Sequence, residues 1–119
     1  MAQLKDLLVN GSARVIGSLF ANLSGNVLNF GVCSTAAATA AKTVTTNGTF
    51  ELITGSKILV LFSETDSSNA PTLNVNGTGA KNIKINASDG IGKGFLAAQQ
   101  YYWFVYDGTN WRTAGAGIT

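Results

Sequence analysis

The sequence predicts an all-β fold, an antiparallel sandwich or small barrel-like domain, and three observations predict it. Lys57 to Phe62 is a continuous run of strand formers, too short for a typical helix and apolar enough to be covered on both faces. Thr72-Leu73-Asn74-Val75-Asn76 and Lys81-Asn82-Ile83-Lys84-Ile85 alternate cleanly around Gly77-Thr78-Gly79, which supplies the glycine a tight reversal needs. Tyr101 to Tyr106 is a third strong strand, and Asp107-Gly108-Thr109-Asn110 turns it back into Trp111-Arg112-Thr113. Turn signals recur roughly every 8–12 residues, the spacing of a sandwich or barrel.

The first element in this order is the run at Lys57, expected to be the central strand. The alternating pair should be half exposed. Ser63 to Ala70 reads as a polar loop that ends at Pro71, placed as the first residue of an edge strand. Ala36 to Ala41 carries five alanines and a threonine without an apolar anchor, so a loop or a single turn is expected there.

Residues 1–30 differ from this pattern. Short apolar couplets (Leu8-Val9, Val15-Ile16, Leu19-Phe20) alternate with Asn, Gly and Ser, and such short strands cannot bury their apolar side within a chain of this length. They need neighbours, of which copies of the same chain are the simplest. A helix over residues 2–9 is the alternative, since Leu4, Leu7 and Leu8 have helical spacing, but the glycines beyond Asn10 oppose its continuation. The chain therefore divides into an N-terminal oligomerisation or attachment segment, 1–30, and a globular β domain, 31–119.

With 119 residues there is room for one core. Charged residues make up only 12%, about half the usual share, which suits association between copies better than life as a free monomer. The eight Lys and Arg are dispersed and the net charge is +2, so no basic stripe exists to grip phosphates and nucleic acid is not an expected partner. The single cysteine, Cys33, excludes an intrachain disulfide and reads as a small buried apolar residue. No charge falls between Arg14 and Lys42, yet Ser, Asn, Thr and Gly interrupt the stretch, so membrane insertion is not expected. The N-terminus lacks the pattern of a signal peptide, which points to assembly in a cytoplasm.

No catalytic residues, metal ligands or cofactors are expected. The chain has no histidine, hence neither the commonest general base nor the commonest zinc ligand, and a cysteine nucleophile would lack its imidazole. Glu64 and Asp66 are the only close pair among the six acids, in a loop where solvated charges are expected, and without the spacing of a calcium loop. Gly77 to Lys81 and Gly90 to Gly94 imitate phosphate loops but lack the required spacing and the following Ser or Thr, so both read as turns.

The remaining constellation is aromatic. Alternation puts Tyr102, Phe104 and Tyr106 on one face of a strand and Tyr101, Trp103 and Val105 on the other, and only one face need be core. The second face either packs against the N-terminal segment or another subunit, or forms a sugar platform. In the latter case Tyr101, Trp103 and Trp111 would stack on pyranose faces while Thr109, Asn110 and Arg112 donate hydrogen bonds.

The run Val32-Cys33-Ser34-Thr35-Ala36-Ala37-Ala38-Thr39-Ala40-Ala41-Lys42-Thr43-Val44 resembles a module of tail-fibre-like proteins of phages and prophages. The resemblance continues through Pro71 to Lys81 and Phe104 to Trp111, and residues 4–17 look like the start of such fibres. It implies a virion structural protein, usually a homotrimer, in which residues 1–30 intertwine around a threefold axis or dock onto other virion proteins. The globular β domain would then contact host cell-surface glycan. In length the chain departs from many such fibres, so a head fibre or decoration protein on the capsid is an alternative to a tail fibre. A bacterial carbohydrate-binding module is another. Assembly in the bacterial host cytoplasm and residence in the virion follow from the same resemblance.

Overall fold

A computed structural model of the chain describes residues 29–114 and 116–118. The expectations placed on residues 1–28, both the short intertwining strands and the alternative helix, lie outside the described residues. Every regular element described is a strand: β1 Phe30–Cys33, β2 Ala41–Val44, β3 Lys57–Phe62, β4 Thr72–Val75, β5 Ala80–Lys84, β6 Gln100–Tyr106, β7 Trp111–Arg112 and β8 Ala116–Ile118. They form one sheet in the order β1-β3-β6-β7-β5-β4-β2, with β8 pairing β6 beyond the end of β7. The two ends of the path meet. Asn29 N–H donates to Asn47 O and Asn47 N–H to Phe30 O, while Gly31 lies so close to Val44 and Thr45 that a Cβ would sit 2.7 Å from Val44 Cγ2. A side chain at that position would hold the seam apart, so the glycine lets the sheet curl into a nearly closed barrel.

The fold is all-β and barrel-like, and its pairing is mixed. β3–β6, β4–β5, β6–β7 and β6–β8 are antiparallel, whereas β1–β3, β2–β4 and β5–β7 are parallel. Parallel partners require a long crossover between them, and here β2 is laid on the opposite edge of the sheet before the chain returns to β3 beside β1. The strand after Pro71 differs from expectation for the same reason: β4 lies between β5 and β2 and is no edge, and Pro71 is itself buried just ahead of it. Proline is tolerated there because it precedes the first ladder residue.

The expected central strand is β3, flanked by β1 and β6. β4 and β5 form the expected hairpin, with Asn76 at φ 54° and Gly77 at φ 74°, the left-handed pair a tight hairpin demands. Their alternate residues are buried, among them Leu73, Val75 and Ile83. Ala36 to Ala40 is a turn, closed by Thr39 N–H to Ala36 O, after which the chain enters β2.

Register decides which side chains fill the barrel. Ile58 opposes Phe104, Val60 opposes Tyr102 and Gly31, and Phe62 opposes Cys33. Apart from Gly31, these residues, with Leu73, Val75, Ile83, Leu96 and Trp111, make one buried cluster. Edge-on contacts of Phe62 with Tyr102 and Phe104, with ring centroids at 5.4 and 6.1 Å, lock its aromatic half. The Tyr102 hydroxyl donates to Phe95 O and accepts from Ala97 N–H, which ties the loop before β6 to the core.

Candidate functional site

Because residues directly opposite each other in a ladder share a face, the register also fixes the outside of the sheet. Two rows cross strands β1, β3 and β6, Val32–Leu61–Tyr101 and Phe30–Leu59–Trp103, and a third, Lys57–Val105, crosses β3 and β6 and is continued onto β7 by Arg112. Seven of these nine positions are apolar or aromatic, an inversion of the usual solvent face of a small barrel. The innermost of them shield one another. Leu59 is buried and Phe30 packs on Tyr101 at 6.1 Å, but Val32 (50% exposed), Trp103 (40%) and Val105 (39%) stand open. Ile85, 45% exposed just past β5, extends the patch. Together Ile85, Trp103, Val105, Arg112, Thr113 and Ala114 line an open groove of about 310 Å3.

Three cations lie on this face, since Lys84 on β5 opposes Arg112 and continues the third row; its Nζ donates to Ser88 O at 3.3 Å. Lys57 Nζ stands 5.5 Å from the Trp103 ring centroid, within cation–π range. Arg112 Nε donates to Asp107 Oδ2 at 2.7 Å. Asp107 organises the turn that carries Thr109 and Asn110, since its Oδ1 accepts both of their backbone N–H groups, at 2.9 and 2.7 Å. The amides of Asn110 and Thr109, then the Arg112 hydrogen bond, hold the Asp107 carboxyl at about 2, against an ordinary value of 3.8. These bonds favour the ionised form. Their contribution to the turn is therefore complete above the ordinary value and lost as pH falls from there through about 2.

Of the residues expected to form a sugar platform, the structure keeps Tyr101, Trp103 and Arg112 on the outer face and puts Thr109 and Asn110 in the adjoining turn. Trp111 is elsewhere. It opposes Tyr106, packs against it at a centroid distance of 5.3 Å and is fully buried, so its ring is a core element and cannot meet a ligand at the surface. Glu64 and Asp66, the close acid pair, part in the same way: Glu64 is exposed, whereas Asp66 is buried. Among the described residues no three or more His, Cys, Asp or Glu side chains gather where they could hold a metal ion.

Sequence reasoning missed the partner of Asp66. Lys42 Nζ lies 3.1 Å from Asp66 Oδ1 with both side chains almost wholly buried, and it also donates to Ala36 O and Ala37 O. Asp66 Oδ1 accepts from Ser68 N–H, the Asp66 N–H donates to Leu96 O, and Ser67 N–H donates to Ala37 O. The alanine-rich run thus serves the ion pair. Small side chains let the 36–40 turn fold over the ammonium and present two carbonyls to it. The Lys42–Asp66 pair joins three loops, 34–40 through the lysine ammonium and 63–70 and 92–99 through the aspartate.

A second concavity of about 160 Å3, lined by Ala70, Pro71, Asn82, Ile83, Lys84, Gly90 and Ile91, offers no set of groups for chemistry. The site thus defines a class: a small β barrel with an apolar aromatic outer face. Comparison with protein-family models and with curated protein sequences returns no match, so the functional reading stands on this geometry and on the sequence motifs.

Proposed function

We propose that the chain is a phage virion structural protein, a short tail fibre or related fibre subunit that assembles as a homotrimer. In this reading residues 1–30 associate copies and attach them to other virion proteins, and the barrel is the globular head. The single observation that carries it is the outer face of β1, β3 and β6. A barrel that already has a complete core exposes a second apolar surface, on a chain with only 12% charged residues, and such surfaces mark association sites. The fragmentary apolar couplets of residues 8–20 and the resemblance of Val32 to Val44 to tail-fibre modules support the same assignment. Contact with host glycan is the weaker reading of the face. It retains Trp103 and Arg112, but the loss of Trp111 to the core removes one of its three platform rings.

An antibody raised against residues 31–119 tests the virion assignment. Electron microscopy of intact particles should show label at fixed positions, on the tail for an adsorption fibre or on the capsid for a head fibre. Bare particles beside labelled free protein would overturn it.

A further inference from the structure

We propose that Asn47-Gly48 is a spontaneous modification site in the seam of the barrel, where Asn47 loses ammonia to give aspartate and isoaspartate, and that the isoaspartate form loosens the closure.

The chain carries the pair Asn-Gly at Asn10, Asn47 and Asn76, the first of them outside the described residues. A glycine after asparagine leaves its amide nitrogen sterically open to the side-chain carbonyl carbon. The two described pairs are held differently. The Asn76 amide is clamped at both ends, since its Oδ1 accepts from Thr46 N–H at 2.8 Å and its Nδ2 donates to Thr46 Oγ1 at 2.9 Å, on a backbone fixed at φ 54° by the β4–β5 turn. Asn47 is exposed and tied through its oxygen alone. Its Oδ1 accepts from Phe30 N–H at 2.9 Å, while among the described residues nothing bonds to its Nδ2 or to the Gly48 N–H.

Ring closure needs a free attacking nitrogen, a free leaving nitrogen and a donor on the oxygen, and Asn47-Gly48 has all of these. The Gly48 nitrogen gives its proton to water, and its electron pair forms a bond to Asn47 Cγ. Negative charge then develops on Oδ1, at which the Phe30 N–H is already aimed. The Cγ–Nδ2 bond breaks, Nδ2 takes a proton from water and leaves as ammonia, and a cyclic imide remains. Water opens the imide at either carbonyl. The net change is asparagine plus water to ammonia plus aspartate or isoaspartate, with nothing oxidised or reduced.

Asn47 sits in the closure itself. Besides the side-chain bond, its N–H donates to Phe30 O at 3.0 Å and its O accepts from Asn29 N–H at 3.1 Å. Aspartate keeps every acceptor in place. Isoaspartate routes the main chain through Cγ and lengthens it by a carbon, so the chain cannot reach Gly48 as before with both acceptors still facing Asn29 and Phe30.

The test ages the full chain at neutral pH, folded in buffer and unfolded in guanidinium chloride, and follows tryptic peptides for a gain of about 1 Da. Asn47 falls in residues 43–57 and Asn76 in residues 58–81, with fragmentation assigning the position. Unfolded, the two sites should age alike. Folded, Asn76 should slow at least tenfold, because its two side-chain bonds must break, while Asn47 stays within about threefold of its unfolded rate. The isoaspartate form, separated by chromatography, should exchange the Asn29 and Phe30 amide hydrogens at least tenfold faster than N47D, which should match wild type. The aspartate form of the aged protein is a second reference should N47D not fold. An Asn47 that slows in step with Asn76, or an Asn76 that keeps pace in the folded chain, overturns the site. An isoaspartate form whose two amides stay as protected as the reference overturns the loosening.

Discussion

Replacing Trp111 with Ala should lower the stability of the barrel by about 3–5 kcal/mol, the range for deleting a buried large aromatic. The indole is fully buried and touches Tyr106 and Phe50, with ring centroids 5.3 and 6.2 Å away. It also joins the two halves of the sheet, since β7 pairs β6 on one side through Tyr106 and β5 on the other through Ile83. A cavity there cannot collapse without pulling those strands apart. Its Nε1 has no hydrogen-bond partner, so Trp111→Phe should lose much less, retaining ring contact while removing an unpaired buried donor. Urea unfolding at fixed protein concentration reads both variants. A Trp111→Ala protein as stable as wild type would mean the ring is not in the core.

Lys42→Met should destabilise by a similar amount, about 3–5 kcal/mol, for a different reason. The methionine can follow the path of the lysine stem, but Asp66 is left as a buried carboxylate whose Oδ2 already lacks a partner, and the Ala36 and Ala37 carbonyls lose their donor. Adding Asp66→Asn should restore a substantial part of the loss, because the uncompensated charge disappears while an oxygen remains to accept from Ser68 N–H. The double-mutant cycle decides the matter. If the two single losses simply add, Lys42 and Asp66 are not coupled and the three loops are held by their backbone hydrogen bonds alone.

The contrast between these two residues shows what could be read in advance. Local patterns gave β3, the β4–β5 hairpin and β6–β7, because strand periodicity and turn chemistry act within a few residues of each other. The position of Trp111 was legible in principle. A four-residue turn from Asp107 to Asn110 sets it opposite Tyr106, on the face already assigned to Tyr102 and Phe104, so it could not also belong to the platform of Trp103. The parallel pairings of β1 with β3 and β2 with β4 were not legible, since their partners are separated by a crossover and no local signal records it. For the same reason the lysine closing the alanine-rich run gave no hint of Asp66, which lies in a loop that looks solvated by composition. The outer face was half legible. Alternation along β6 announced a second aromatic row, and only the register with β1 and β3 showed that Val32, Phe30, Leu59 and Leu61 continue it into a surface.

Whether copies of this chain need one another is tested most directly by the mass of the full-length protein in solution. Multi-angle light scattering should return a single species near three times the 12.3 kDa chain mass, falling to the mass of one chain when residues 1–25 are removed. A full-length protein that scatters as one 12.3 kDa chain at every concentration would contradict it.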